Sequence, residues 1–594
     1  MKYKLIGSNN YLGDLQEEYF KNRGIDDVDK FKNLHNYKTT HPYEFINMKE
    51  AVECFDKHID TSVIGVIVDD DVDGFTSSSL LYSFINDNFE NEIIYIIHSK
   101  NKSHGIILDE IEPYIEKINL LIVADAGTND IVEHEYLKSK GIDVIVIDHH
   151  ELEICSKDAI VVNNKYSKIS TNLTGVAMVY KFIEAIAEKY VIDDIDSYLD
   201  LVMMGLIGDS ADTKDLEVQY YIQQGLKKIN NPMIKALIEK ESFSLKGQLN
   251  QESFGWYLCP NINAVVRLGD IEQKTLVFEA FAQINSERTF NYEPTRGKNK
   301  GKVIEETLYE YCARLCGSLK GKQQREVKNI IEGNTRIKGI KESIQDTPNK
   351  KVLVVNITDY IEDGELTGLI ANKIMSIYKK PVLALHKVKD GKYGGSGRGE
   401  QIIDFRSKLN QSGLLEGQGH EAAFGIMKAE INNFDELENK INNHFKNEII
   451  QTYHMVDFVI PFEELEDYMI EDLYAIRDFW GQGMSAPLLY IENVIVKTNN
   501  IKINEKKTTM SFDANFIQYI KFNCTEDFID NIIGWEDEMC YNIIGKPSIN
   551  EFEGERYVQI QIVDMELLNK TENTEDNEWK DSDWKEDNIE NFEW

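Results

Sequence analysis

The stretch Val63-Ile64-Gly65-Val66-Ile67-Val68-Asp69-Asp70-Asp71-Val72-Asp73-Gly74 decides the reading of this chain. A short apolar run rich in β-branched residues stops abruptly at carboxylates placed at alternate positions, and a glycine closes the motif. Working outward, the runs Ile93 to Ile97, Leu120 to Ala124 and Ile142 to Ile147 repeat the same pattern, each followed by a helical stretch. Continuous apolar strands alternating with helices predict a parallel sheet covered on both faces. Three of the runs are followed by aspartates, Asp69, Asp125 and Asp148. The carboxyl ends of such strands are where doubly wound sheets place their sites, so these acids are expected to converge.

Carboxylates this dense repel one another unless cations hold them. An EF-hand calcium loop needs a bidentate glutamate at its twelfth position and a preceding helix. Here that position is Leu80 and an apolar strand precedes the motif. Asp125-Ala126-Gly127 and Asp148-His149-His150 follow their own strands, and Gly205-Leu206-Ile207-Gly208-Asp209 brings a further acid. Asp209 alone would read as a helix cap. Taken together, aspartates and histidines at one sheet edge make an O/N ligand set suited to Mn²⁺ or Mg²⁺.

The 594 residues leave room for three or four domains. No apolar run approaches the roughly 20 residues of a membrane span, and the N-terminus lacks a signal core, which places the protein in the cytoplasm with no membrane partner. Seven cysteines without a CxxC pair indicate neither a disulfide framework nor a thiolate zinc site, and Cys312 and Cys316 read as a buried pair on one helix face. The net charge of −37 argues against a uniformly basic nucleic-acid binder. It leaves open a local basic groove, because screening confines fields to about 8–10 Å. The expected organisation is an N-terminal segment over 1–60, an α/β core over 61–270, and a connector with a long helix over 271–350, the helix itself running roughly 303–345. A second α/β domain over 351–454, a small all-β module over 455–569 and an acidic tail over 570–594 follow.

The order DxDxDG, Asp-x-Gly, DHH and Gly-x-x-x-Asp resembles the DHH phosphoesterase superfamily. Beyond that core the chain is similar to the RecJ family of single-strand-specific 5′ to 3′ exonucleases. The similarity rests on Arg23-Gly24-Ile25, on Leu173 to Lys181, and on Pro260-x-Ile262-Asn263-Ala264 to Arg267-Leu268-Gly269-Asp270. In the second half it rests on Gly364 to Ala371, Gly395-Ser396-Gly397-Arg398, Gly419-His420 and Trp480-Gly481-Gln482-Gly483 to Pro487. Two segments depart from the family pattern, Gln418 to Gly425 and Cys259-Pro260-Asn261, the latter removing a phosphate contact that an arginine at 261 would make.

The resemblance implies a DHH core, a DHH-associated domain and an oligonucleotide-binding (OB-like) small barrel, with two Mn²⁺ or Mg²⁺ ions hydrolysing phosphodiester bonds of single-stranded DNA. Two ions about 3.5–4 Å apart can neutralise phosphoryl charge, activate water and hold the leaving oxygen. Carried over residue by residue, Asp71 binds one ion, Asp73 and His149 the other, and Asp125 with Asp209 bridge or complete the shells. Asp69 is a further ligand or orienter, Asp148 orients, and His150 faces the scissile phosphate. Arg398 and His420 supply positive groups from the facing domain. His104, Arg267, Ser396, Gly397 and Gly419 are candidate substrate contacts. The basic run Arg296, Lys298, Lys300 and Lys302, continued by Arg314, Lys320, Lys322, Arg325 and Lys328, is the expected path of the DNA backbone.

Two other functions compete. A DHH phosphodiesterase acting on cyclic dinucleotides or short oligonucleotides shares the core but normally lacks the long connector and barrel. An inactive replication scaffold of the same fold would not need the intact acids. Between Lys570 and Trp594 the ten acids and three lysines are interleaved with Trp579, Trp584, Phe592 and Trp594, which suggests a segment that docks a replication or repair protein.

Overall fold

The computed structural model describes residues 1–568, apart from 100–103, 296–299, 335–337, 345–346, 348, 362–363, 389–390, 451–452, 533–536 and 553–554. The acidic tail and its aromatic residues, and with them the expected docking segment, lie outside the described residues. No helix of the described residues is long and apolar enough to cross a membrane.

The chain forms two compact units. The larger runs from Arg23 to Tyr453 and includes Ala475–Ala486. At its centre is a five-stranded parallel sheet, in the spatial order Ile93–Ile97, Ile64–Val68, Leu120–Ala124, Asp143–Asp148, Ile160–Asn163. Every residue of Ile64–Val68 and Leu120–Ala124 is buried. Successive side chains feed opposite faces: Val66, Val68, Leu120 and Ile122 join the core under helices Val72–Asn88, Gly175–Tyr190 and Leu199–Gly208. Ile67, Leu121 and Val123 join the core on the other face, with Leu137 of helix Ile131–Ser139. Each such side chain contributes roughly 1.5–3 kcal/mol on burial. The strand order reverses between Ile64–Val68 and Leu120–Ala124, and a crevice opens at such a switch point. The loops beginning at Asp69 and Asp125 stand on its two sides.

The connector holds the expected long helix, shorter than the expected 303–345, together with further elements. Helix Ile271–Phe281 is followed by a hairpin of Thr289–Tyr292 with Ile304–Thr307, and the long helix spans Leu308–Glu332. Thr307 and Glu310 form a capping box that fixes its start, and Gly333, at φ 80°, ends it. Cys312 and Cys316 are free and buried within it.

The second α/β domain in this unit carries a five-stranded sheet in the order Gly417–Gly419, Ala423–Ala429, Tyr393–Arg398, Val382–Lys387, Leu353–Asn356. The glycine-rich segment at 391–399 is therefore mostly a strand, pairing antiparallel with Val382–Lys387 and with Ala423–Ala429.

The smaller unit comprises Met1–Asn22, His454–Tyr474 and the chain from Pro487 onward. Its seven-stranded sheet runs in the order Phe458–Pro461, Leu489–Lys497, Glu538–Phe552, Glu555–Leu568, Ile517–Phe522, Thr509–Ala514, Lys502–Ile503. Bulges near Asn493 and Gly545 shift its register. The expected N-terminal segment 1–60 is thus divided. Tyr3–Leu5 pairs parallel with His454–Val456, and helix Leu15–Lys21 is tied to the same unit by Gln16, whose amide donates to Asp472. Residues 475–486, expected in the all-β module, pack in the larger unit, where Gln482 O accepts from Thr213 N and Oγ1 and Gln251 donates to Asp478 O.

Candidate metal centre

The acidic loop is shaped by its own backbone. Asp71 caps helix Val72–Asn88, its carboxylate accepting from Gly74 N at 2.8 Å. Asp73, in the first turn, accepts from Gly175 N at 2.7 Å and Val176 N at 3.0 Å, at the positive end of helix Gly175–Tyr190. Two glycines permit this closeness: a Cβ on Gly175 would lie 2.2 Å from Asp125 Oδ1, and one on Gly205 2.5 Å from Asp73 Oδ1.

Asp125 sits at φ 64°, a left-handed conformation costing a non-glycine residue roughly 1–2 kcal/mol. That turn aims its carboxylate back over the sheet edge. His149 Nε2 lies 3.2 Å from Asp125 Oδ1, 3.6 Å from Asp209 Oδ2 and 3.9 Å from Asp73 Oδ2. Ligand atoms of Asp73, His149 and Asp209 fall within 4.8 Å of one another, as do those of Asp69, Asp71 and Asp125. Asp125, Asp148, His149 and His150 make a third such group.

Electrostatics shows what these groups lack. Burial, then the Asp71 charge, pushes the Asp73 carboxyl up to about 7. Burial with Asp73 and Asp71 pushes Asp209 up to about 8, and Asp125 is also raised well above the carboxylate range. Burial, and then His150, lowers His149 to about 3, leaving a neutral imidazole ready to ligate. Among the described residues, Asp125 Oδ1 is buried without a hydrogen-bond donor while the nearby His149 imidazole is neutral with Nε2 unprotonated. Repelling carboxylates, a neutral imidazole and an orphaned oxygen are the donor set a hard divalent cation satisfies, so the residues fit one or two such ions.

Asp148 has a different task. It accepts from Thr128 N (3.1 Å), His149 N (2.7 Å) and His150 N (3.2 Å), and its Oδ1 lies 2.7 Å from His150 Nδ1. Burial opposes its charge, yet the His150 hydrogen bond and the His150 charge hold it far below the usual range. It therefore fixes the histidine pair, and leaves the Nε2 of half-exposed His150 free to face a ligand. Asp69 is similarly occupied: Oδ1 accepts from Gly105 N at 3.1 Å and Oδ2 lies 2.9 Å from His104 Nδ1. Burial disfavours charge on His104, but the Asp69 hydrogen bond and charge prevail and raise it to about 9. The His104 ring is 4.7 Å from that of His150.

Two buried groups behind this site, His98 and Lys274, lie outside the motifs. His98 lies 2.7 Å from Glu110 and 3.8 Å from Asp69, and Lys274 Nζ reaches both oxygens of Asp70 at 2.8 and 3.1 Å. His98 was findable, since it is the first polar residue after strand Ile93–Ile97, the position that marks Asp69 and Asp125 on theirs.

The positive groups divide. Arg267 is within electrostatic reach of Asp71, and Arg398 within reach of Arg267. Burial lowers both, Asp71 opposing this for Arg267 and Arg267 adding to it for Arg398. Arg398 Nη1 donates to Gly397 O at 2.7 Å. Ser396 is buried with its hydroxyl 2.7 Å from that of Thr367, and a Cβ on Gly397 would strike the Phe424 ring at 2.3 Å, so both positions serve packing in this structure. His420 and Gly419 are exposed, and the His420 ring makes no hydrogen bond among the described residues. Lys300, Lys302, Lys322 and Arg325 are exposed, whereas Arg296 and Lys298 lie outside the described residues. Arg314 and Lys320 are already spent, on Glu306 (2.8 Å) and Glu241 (3.0 Å). Asn261 is buried and donates to Glu241 and Tyr257 O, a structural role in place of a phosphate contact.

Comparison with known proteins agrees with this geometry. The DHH family N-terminal domain matches residues 63–206, the DHHA1 domain 349–447 and the RecJ OB domain 456–564. The SPbeta prophage-derived protein YorK of Bacillus subtilis (strain 168), named as a single-strand DNA-specific exonuclease, is 36% identical over 591 residues, covering 96% of this chain and 98% of its own. The single-stranded-DNA-specific exonuclease RecJ of Haemophilus influenzae is 23% identical, covering 85% of this chain and 88% of its own. The structure of RecJ from Thermus thermophilus in complex with Mn²⁺ superposes with a TM-score of 0.71 at 16% identity, over 93% of this chain and 76% of that one. With 36% identity to YorK along almost the whole of both chains and all three domains in order, the chain belongs to the RecJ-like single-strand-DNA-specific exonucleases of the DHH phosphoesterase superfamily.

Proposed function

We propose that this protein is a divalent-metal-dependent exonuclease that hydrolyses single-stranded DNA from its 5′ end, in DNA repair, recombination or replication. The observation that carries the reading is the meeting of His149 with Asp73, Asp125 and Asp209 at one sheet edge, with Arg267 within electrostatic reach of Asp71. Mn²⁺ or Mg²⁺ held by Asp71, Asp73, Asp125, His149 and Asp209, with Asp69 beside them, supplies charge neutralisation at the phosphoryl oxygens and ready deprotonation of water at neutral pH. Asp148 orients His149 and His150 together. His150, hydrogen-bonded through Nδ1, offers Nε2 to hold or deliver a proton at the scissile phosphate. Arg398, anchored on Gly397 O, offers its remaining N–H groups to phosphate oxygens in fork geometry. The OB module supports binding of an extended single strand.

Digestion of 5′-labelled and 3′-labelled single strands tests this. EDTA is expected to abolish hydrolysis and Mn²⁺ to restore it, with the 5′ label released first as mononucleotide. Release from the 3′ end, or turnover of dinucleotides alone, would overturn the assignment. Arg398→Ala is expected to lower kcat/KM by roughly 100-fold or more, as loss of a donor to a charged transition state does. Arg398→Lys should recover only part, because it keeps the charge without the fork. Near-equal rates in all three proteins would remove Arg398 from the site.

A further inference from the structure

Trp256 is 70% exposed, although its neighbours Phe254 and Leu258 are fully buried. Its backbone is far from free. It lies in the π-helical turn Phe254–Leu258, an irregularity that recurs at functional sites. On one side a Cβ at Gly255 would meet Ile207 at 3.6 Å, and Ile207 is two residues before Asp209. On the other, Tyr257 O accepts from Asn261 (2.6 Å) and Lys320 (3.0 Å), both of which also bond Glu241 at 3.0 Å. The indole therefore stands on a fixed turn between the acid-bearing helix Leu199–Gly208 and the long helix Leu308–Glu332. Exposed Lys322 and Arg325 follow within two turns of Lys320 but project roughly 200° and 140° round the helix from it, Lys322 lying 3.9 Å from Glu326, so a strand stacked on the ring would reach them by crossing the long helix. Helix Cys259–Leu268 leads from the same turn to Arg267, eight residues and about 12 Å along.

We propose that Trp256 is a stacking platform for a base of the single strand, with Lys322 and Arg325 holding the adjoining phosphates. Every base offers a π-face, so a rigid exposed ring beside cations binds single strands without regard to sequence. A protein partner would want a contiguous apolar patch instead, whereas exposed Lys240 stands beside this turn, its Cε 3.0 Å from a Cβ placed on Gly317 of the long helix, which would itself lie 3.9 Å from Asn261. The inference rests on the exonuclease reading above and adds a positioning residue to it.

Full-length Trp256→Ala and Trp256→Phe are compared with wild type by fluorescence anisotropy on labelled oligothymidylate in EDTA, and by KM with Mn²⁺. Trp256→Ala is expected to weaken binding about 5-fold or more, and Trp256→Phe to recover most of it. On a strand made abasic at the contacted positions, the difference between Trp256→Ala and wild type should collapse. The salt dependence should be unchanged by Trp256→Ala and reduced by Lys322→Ala/Arg325→Ala, because only the latter removes phosphate contacts. Equal affinities of Trp256→Ala and wild type, or the same loss on abasic strands, would overturn the platform. A wild-type protein that degrades neither strand end would instead remove the exonuclease reading, so the two failures are distinguishable.

Discussion

Asp125→Asn is expected to lose hydrolysis of single-stranded DNA by more than about 100-fold, beyond what removal of an outer-shell partner of a metal ligand costs. The same change should make the metal-free protein more stable. Asparagine is isosteric and tolerates the left-handed conformation at φ 64° that this position demands. Its amide can also donate to Asp73, whose carboxylate stands within hydrogen-bond reach. Burial and then the charges of Asp73, Asp71, Asp69 and Asp209 hold the Asp125 carboxyl above its unfolded value of 3.8. Its contribution to stability is thus fully present below about pH 4 and lost as pH rises through the raised folded value. Asparagine has no such loss. The gain of Asp125→Asn over wild type in EDTA should therefore widen as pH rises above about 4. Mn²⁺ should raise the wild-type Tm and leave the variant's nearly unmoved. Retained nuclease activity in a folded Asp125→Asn protein would refute the role assigned to this carboxylate.

Asp69, Asp125, Asp148 and His149 were legible because each ends or follows a buried strand, and such strands announce themselves as unbroken apolar runs, whereas Asp209 follows helix Leu199–Gly208 and was found only through its place in the order of motifs. Asp73, Asp125 and His149 are 76 residues apart from first to last in sequence, yet the topology of a parallel sheet brings the loops after its strands together whatever lies between. Where that rule does not apply, the reading weakened. The division of residues 1–60 turns on three residues, Tyr3–Leu5, pairing with His454–Val456 far along the chain, and nothing local encodes such a partner. Residues 475–486 are held in the larger unit by backbone acceptors, Gln482 O and Asp478 O, which carry no side-chain signature. Arg314 and Lys320 read as part of a basic run, but charge alone does not reveal that Glu306 and Glu241 face them. A cut of the chain at 455 would therefore remove part of the larger unit's own packing along with the OB module.

Lys274→Met should destabilise the larger unit by about 3–5 kcal/mol, the usual cost of stranding one member of a buried ion pair. Lys274 reads in sequence as an ordinary helix lysine, 204 residues from its partner. In the structure both side chains are 1% exposed, and Nζ bonds both Asp70 oxygens and, at 3.2 Å, His98 O. This lysine is the fixed cation behind a loop that otherwise presents only negative charge, at Asp69, Asp70, Asp71 and Asp73. Without it, Asp70 either takes up a proton or turns toward its neighbours and competes for the cations they are placed to hold. Asp70→Val/Lys274→Met separates packing from electrostatics, since two apolar residues can fill the space with nothing left unpaired. Its urea midpoint should return close to wild type. If its Mn²⁺ affinity and rate return as well, the pair serves the fold alone. If stability returns while Mn²⁺ affinity stays low, the Lys274 charge sets the potential in which the acidic loop works. A single Lys274→Met variant with an unshifted midpoint would contradict both, and would mean that the buried pair contributes no more than an exposed one.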